Sequence, residues 1–198
     1  MGELDEAVSE AVERGRESRL NSLIAAIVAV AATTMAVGNV KDANIVQGMA
    51  QAQAKTVDAW SYYQSKSTKQ NIAEAALDQL VALQAIVPAN GDAHADVEKH
   101  IVDFRQQVTR YDKEKQEIQA EAEGHQREYD ELNLHDDQFD MSEAALSVAI
   151  ALLGVTALTR KRWLLGVAAL FLAVGWTFEV AGFAGWSLHP HLLMSWLG

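Results

Sequence analysis

Two glutamates at the edges of apolar stretches have the most chemistry to offer. Glu143 lies near the start of MSEAALSVAIALLGVTAL, residues 141–158, and Glu179 directly follows WLLGVAALFLAVGWTF, residues 163–178. Carboxyl groups near bilayer depth are costly, and they usually face protein or water, where they bind a proton or cation or meet a base. If the two stretches fold back on each other about residues 160 and 161, Glu179 comes level with Ser142 and Glu143. Lys41 and Asp42 then leave an earlier apolar stretch at the same height. Lys41, Glu143 and Glu179 therefore form a candidate polar membrane site. The structural reading is that Glu143 starts a helix where the dipole favours an acid, while Glu179 reaches the interface or pairs with Lys41. The other readings are proton or cation binding and a contact between subunits.

His189 and His191 flank Pro190 and offer two imidazoles, a weak metal signal. Leu188, Leu192, Leu193, Met194, Trp196 and Leu197 around them read instead as an amphipathic segment on the interface, so no metal is expected. A Gly-rich phosphate loop, an HExxH pair, a nucleophile elbow and a calcium loop are all missing. Neither an enzyme nor a cofactor is expected. Cysteine is absent, which removes disulfides and thiolate metal sites.

A second set of residues is WSYYQSKSTK, Trp60 to Lys69, where aromatic and cationic side chains crowd together. It is either a packing seam between helices or a surface for docking a protein partner, and the positions of the surrounding elements favour the seam.

Those elements follow from how charge is distributed. The mean hydropathy is near zero and 22% of residues are charged, as in an ordinary soluble domain. Yet Leu20 to Val37 and 163–178 contain no charge, and 141–158 holds only Glu143. Each stretch is close to the length a helix needs to cross a hydrocarbon core of about 30 Å. The expected organisation is a cytoplasmic amphipathic arm (1–19), a first transmembrane helix (20–38), an extramembrane helical hairpin (39–140), a second transmembrane helix (141–158), a basic cytoplasmic turn (159–162), a third transmembrane helix (163–182) and an interfacial tail (183–198). The first apolar stretch reads as a span and not a cleaved signal peptide, because a long acidic segment precedes it. Arg14, Arg16 and Arg19 before the first span, and Arg160, Lys161 and Arg162 between the others, place both ends of that pattern in the cytoplasm. The hairpin and the C-terminus then lie outside, in the periplasm for a bacterial inner membrane. Between residues 39 and 140 ten Lys and Arg meet nineteen Asp and Glu, and so acidic an extramembrane part disfavours nucleic acid and anionic lipid as partners; no nucleic acid is expected.

The hairpin turns at 88–92, Pro-Ala-Asn-Gly-Asp, which leaves two arms of equal length. On the returning arm Val97, Ile101, Phe104, Val108, Tyr111, Lys115, Ile118, Ala122, His125, Tyr129 and Leu132 alternate steps of four and three, the spacing of an antiparallel coiled coil's seam. The outgoing arm carries two shorter stripes, Val46, Ala50, Val57 and Trp60, then Ile72, Ala76, Leu80, Leu83 and Val87. Folding about residue 90 puts Trp60 opposite Ala120 and Tyr63 opposite Glu117, with Lys66 and Lys69 near Asp112 and Glu114. Trp60, Tyr62 and Tyr63 would then meet the small Ala120 and Ala122. In the first span, Ala25, Ala29 and Thr33, with Ala32 and Ala36 alongside, predict a close helix contact within the chain or between chains.

The run from Trp60 to Lys69 matches W-x-Y-Y-Q-x-K-S-x-K and resembles an uncharacterised bacterial membrane protein family, domain-of-unknown-function family 4337. The order of elements is similar too: an acidic arm, one span, a long helical region and two closing spans. The resemblance implies topology and brings no reaction, ligand or cofactor. The expectation is an all-α membrane protein, in contact with lipid and self-associating, that acts as a scaffold or interaction module through its hairpin. A small cation or proton channel using Glu143 and Glu179 is the alternative.

Overall fold

The computed structural model describes residues 2–188 and holds three α-helices, with no strand among the described residues. They are α1 (Gly2–Gln84), α2 (Asp92–Thr159) and α3 (Trp163–Ala184). Each contains a window long and apolar enough to cross a membrane. The histidines at 189 and 191, and the tail around them, lie outside the described residues.

α1 runs for 83 residues without a break, so WSYYQSKSTK interrupts nothing. It contains no proline, and its hydroxyl residues satisfy themselves: Ser61 and Thr68 donate to the carbonyls of Val57 and Gln64 at 2.9 and 3.0 Å. The helix ends at Gln84, ahead of the expected turn. The amides of Ile86 and Val87 both bond to the Leu83 carbonyl, and Pro88 has no amide to continue the ladder. α2 starts at Asp92, an acid in the first turn where the helix dipole favours one, and then runs for 68 residues through position 140 into the apolar stretch.

The chain divides into two compact units, one formed by the chain up to Gly48 and from Glu131 onward, the other by Met49–Asp130. In the first unit the three apolar helices share a core of Ile24, Ala31, Leu146, Ala149, Leu153, Ala168 and Leu172. α3 approaches α2 closely because Gly175 has no side chain. A Cβ there would sit 2.7 Å from Leu146 Cγ and 3.2 Å from the Leu146 amide nitrogen. Beyond α3 the chain is held by the buried Gln138, whose amide donates to the carbonyls of Trp186 and Leu188 at 2.7 and 2.8 Å. Phe139 meets Phe183 edge to face beside it. The outward faces of this unit are apolar, with Val30, Val37, Val155, Leu170 and Val180 all exposed.

On α1 and just past its end the covered positions differ in part from the expected ones: Ala76, Leu80 and Val87 are half-buried as expected, while Val46, Ala50, Val57, Trp60, Ile72 and Leu83 are exposed. In the first unit the covered positions are Ile24, Val28, Ala31, Met35, Gly38, Asp42 and Ile45, spaced alternately by four and three. Ala25, Ala29, Thr33, Ala32 and Ala36, expected to make the close contact, are all exposed. In the second unit the covered positions are Ala52, Thr56, Ala59, Tyr63, Lys66, Gln70, Ala73, Leu77 and Leu80, with the same alternation. Val57 and Ile72, placed in the seam by the sequence reading, are 59% and 63% exposed. The reason lies in volume. α2 brings the large seam residues Ile101, Phe104, Tyr111 and Ile118, and α1 answers with mostly small or flexible polar side chains, Ala52, Thr56, Ala59, Lys66, Gln70 and Ala73, leaving Val57 and Ile72 outside. On α2, every expected seam position from Val97 to Leu132 is buried or half-buried.

Candidate functional site

Glu179 sits on α3 four residues after Gly175, on the side of the helix that faces the core of the first unit. It is only 4% exposed. Ser142 Oγ donates to its Oε2 at 2.6 Å, while its Oε1 is buried with no hydrogen-bond partner. Gly38 of α1 makes room for it: a Cβ at position 38 would stand 2.4 and 2.9 Å from the two carboxylate oxygens. One carboxyl group thus joins all three helices, by a hydrogen bond to α2 and by van der Waals contact with α1.

The other two residues of the expected site are elsewhere. Lys41 and Glu143 are both exposed, and no ion pair among the described residues includes Glu179. Of the two residues expected level with Glu179, Ser142 meets it and Glu143 does not, and the helix period explains the difference. Ser142 and Glu143 are adjacent, about 100° apart around α2, so only one of them can face α3. Gly38 was missed because its contribution is an absent side chain. The available signal was a glycine among Ala and Val residues at the depth of Glu179.

A second acidic group lies in the same unit, outside the apolar stretches. Asp136 of α2 is within hydrogen-bonding reach of Asp42 of α1, and burial together with Asp42, Asp140 and Asp137 pushes its carboxyl from the ordinary 3.8 up to about 6. Burial, together with Asp42, Asp137 and Glu143, also raises Asp140. With both Asp42 and Asp136 ionised neither supplies a donor, and Asp42 Oδ1 is buried without a partner. A proton on Asp136 supplies the missing donor. The folded chain therefore holds an extra proton between about pH 4 and about pH 6. That stabilisation is fully present below about 4 and is lost as pH rises through about 6. Asp136→Asn should match the wild type in acid and exceed it by about 1 kcal/mol at neutral pH, roughly 2–4 °C in Tm, after allowance for partial exposure. Thermal unfolding of the full chain in detergent at acid and neutral pH measures the gap; an equal gap at both would overturn the assignment.

In the second unit, Lys66 Nζ donates to Glu114 Oε2 at 2.6 Å and lies 5.1 and 5.7 Å from the ring centroids of Tyr62 and Tyr111. Glu114 holds Lys66 above its ordinary pKa, Lys66 holds Glu114 below its own, and Lys69 and Arg110 act on Glu114 in the same direction. Lys115 Nζ bonds Gln70 Oε1 at 3.0 Å and lies 5.2 Å from the Tyr63 ring. Of the other residues assigned to the seam, Ala122 is buried and Phe104, Tyr111 and Tyr63 are half-buried. Lys69 and Ala120 are exposed, and so are Trp60 and Tyr62. Trp60 is 41% exposed and stacks edge to face on Tyr63 of its own helix, 5.5 Å between centroids. The expected picture of Trp60 and Tyr62 meeting small side chains of α2 is thus corrected: the rings facing the seam are Tyr63, Phe104 and Tyr111, and the alanines opposite the α2 rings come from α1.

Among the described residues no group of three or more His, Asp or Glu side chains is arranged to hold a metal ion. A family model described as a domain of unknown function (DUF4337) matches residues 20–185. No curated protein and no solved structure matches the chain.

Proposed function

Because the chain belongs to the DUF4337 family, whose description carries no activity, we propose its function from its geometry: it is an integral membrane protein that presents an antiparallel coiled-coil hairpin as an interaction module. The observation that carries this reading is the contrast between outward faces. Around the core of the first unit they are apolar and uncharged, as lipid requires, whereas residues 49–130 turn Lys, Glu, Asp and Gln outward. The cross-helix contacts of Tyr63 with Lys115 and of Lys66 with Tyr111 support antiparallel pairing, since the numbers rise on α1 as they fall on α2. Trp60 and Tyr62, exposed beside the Lys66 pair, offer a protein partner aromatic anchors.

Self-association is supported by the exposed small residues Ala25, Ala29, Ala32, Thr33 and Ala36, which leave α1 a face that a second helix can approach closely in lipid. Arg14, Arg16 and Arg19, in α1 ahead of its apolar stretch, and Arg160, Lys161 and Arg162, between α2 and α3, favour a cytoplasmic N-terminus, with the hairpin on the opposite side, the periplasm of a bacterial inner membrane.

With no native cysteine, Asn90→Cys tests this directly in the full chain. A membrane-impermeant thiol reagent should label it from outside intact cells, and the purified particle in nanodiscs should weigh a multiple of 21.6 kDa. Labelling only after lysis would reverse the topology, and a single-chain mass would remove self-association.

A further inference from the structure

Arg16 and Arg19 of α1 and Arg160 and Arg162 of the connection between α2 and α3 line one cavity of about 580 Å³. They come from places more than a hundred residues apart in sequence, and folding gathers them. The acidity that argues against anionic lipid belongs to residues 39–140, and none of these four arginines does. Each stands at or near the end of an apolar stretch: Arg16 and Arg19 ahead of residues 20–37, the other two between 141–158 and 163–178. In the membrane reading, on which this inference rests, the cavity opens at headgroup level.

Three further features define its ligand. Leu20 and Leu23 share the wall with the arginines, and Leu23 is exposed, so an arginine-lined mouth adjoins an apolar surface. That combination suits a molecule with an anionic head and an acyl tail. Guanidinium groups present fixed forks of N–H donors, the geometry that grips phosphate oxygens. Arg160 adopts φ 60°, a left-handed conformation that glycine commonly takes where helices end and that disfavours a residue with a Cβ. A long cationic side chain thus occupies a position where the backbone alone would select glycine.

We infer that this cavity binds the phosphate of an anionic phospholipid headgroup. Basic pockets between membrane helices bind such lipids, with each nearby Arg strengthening the attraction about fivefold.

The test uses the full chain, purified in detergent with mixed phosphatidylglycerol and phosphatidylcholine, and counts retained lipids by native mass spectrometry. The wild type should keep phosphatidylglycerol in preference. Arg160→Gly, which relieves the backbone and so cannot be dismissed as a folding defect, should weaken retention about fivefold. Arg16→Gln, Arg19→Gln and Arg162→Gln together should weaken it about a hundredfold. Both variants should keep their helix content and co-float with phosphatidylcholine vesicles. Equal retention of the two lipids, as when carboxylates of the chain itself neutralise the arginines, would overturn the assignment. So would unchanged retention in the variants, or displacement of the lipid by inorganic phosphate alone. Failure of the wild type to co-float with vesicles is the distinct result that would bring down the membrane reading, and this inference with it.

Discussion

Gly175→Ala should lower the Tm of the full chain in detergent by several degrees, a loss of about 1–3 kcal/mol. The added methyl would lie 2.7 Å from Leu146 Cγ and 3.2 Å from the Leu146 amide nitrogen. The first clash is with a side-chain branch point and the second with backbone, so no single rotamer change removes both. α3 has to move away from α2, which loosens the core that Ala168 and Leu172 of α3 share with Ala149 and Leu153 of α2. Leu146 is itself fully buried, so Leu146→Ala alone should cost about 2–5 kcal/mol through the cavity it leaves. In the double variant the new methyl occupies part of that cavity. The combined loss should then fall short of the sum by about 0.5–3 kcal/mol. Strict additivity would mean that the two residues do not share one packing site.

Ser142→Ala should cost about 1–3 kcal/mol, whereas Glu179→Leu should be nearly neutral or stabilising. The two residues form one hydrogen bond, and the asymmetry comes from what each deletion leaves behind. Without Ser142 a buried carboxyl group, already lacking a partner on Oε1, loses its single donor. Without the carboxyl, Ser142 can turn its hydroxyl to the carbonyl four residues earlier, as Thr156 does with Leu152 at 2.7 Å. Leucine has nearly the volume of glutamate and places apolar atoms against Gly38 and the core. Ser142→Ala made in the Glu179→Leu background should therefore cost only a few tenths of a kcal/mol. Equal losses in both backgrounds, measured by thermal unfolding, would show that Ser142 acts by some route other than this bond.

The sequence reading and the structure part company at identifiable residues. The seam on α2 was legible because its members are mostly large and apolar, so the four-three spacing stands out against a polar background. The seam on α1 has the same spacing and was not legible: Asp42, Thr56, Lys66 and Gln70 occupy it beside alanines, while Val57, Trp60 and Ile72 face outward. A hydrophobic pattern identifies a buried face only when burial follows hydrophobicity. Here α2 supplies the bulk, and steric fit selects the opposite face of α1. Glu179 was recognisable because an acid beside an uncharged stretch needs an explanation. Its partner was misplaced by one residue, because depth along a helix says nothing about rotation around it.

By itself the sequence determined three apolar stretches of spanning length, the two reversals between helices, the membership of the longest regular seam and the level of Glu179 with Ser142. These depend on local composition and period, which a chain carries whether or not it is folded. Only the tertiary structure decided which face of α1 is covered, that Gly38 and Ser142 and not Lys41 and Glu143 surround the buried carboxyl, and that four distant arginines share one cavity. Each of those outcomes depends on how far one helix is rotated against its neighbour, and that rotation is set by the volumes meeting across the contact.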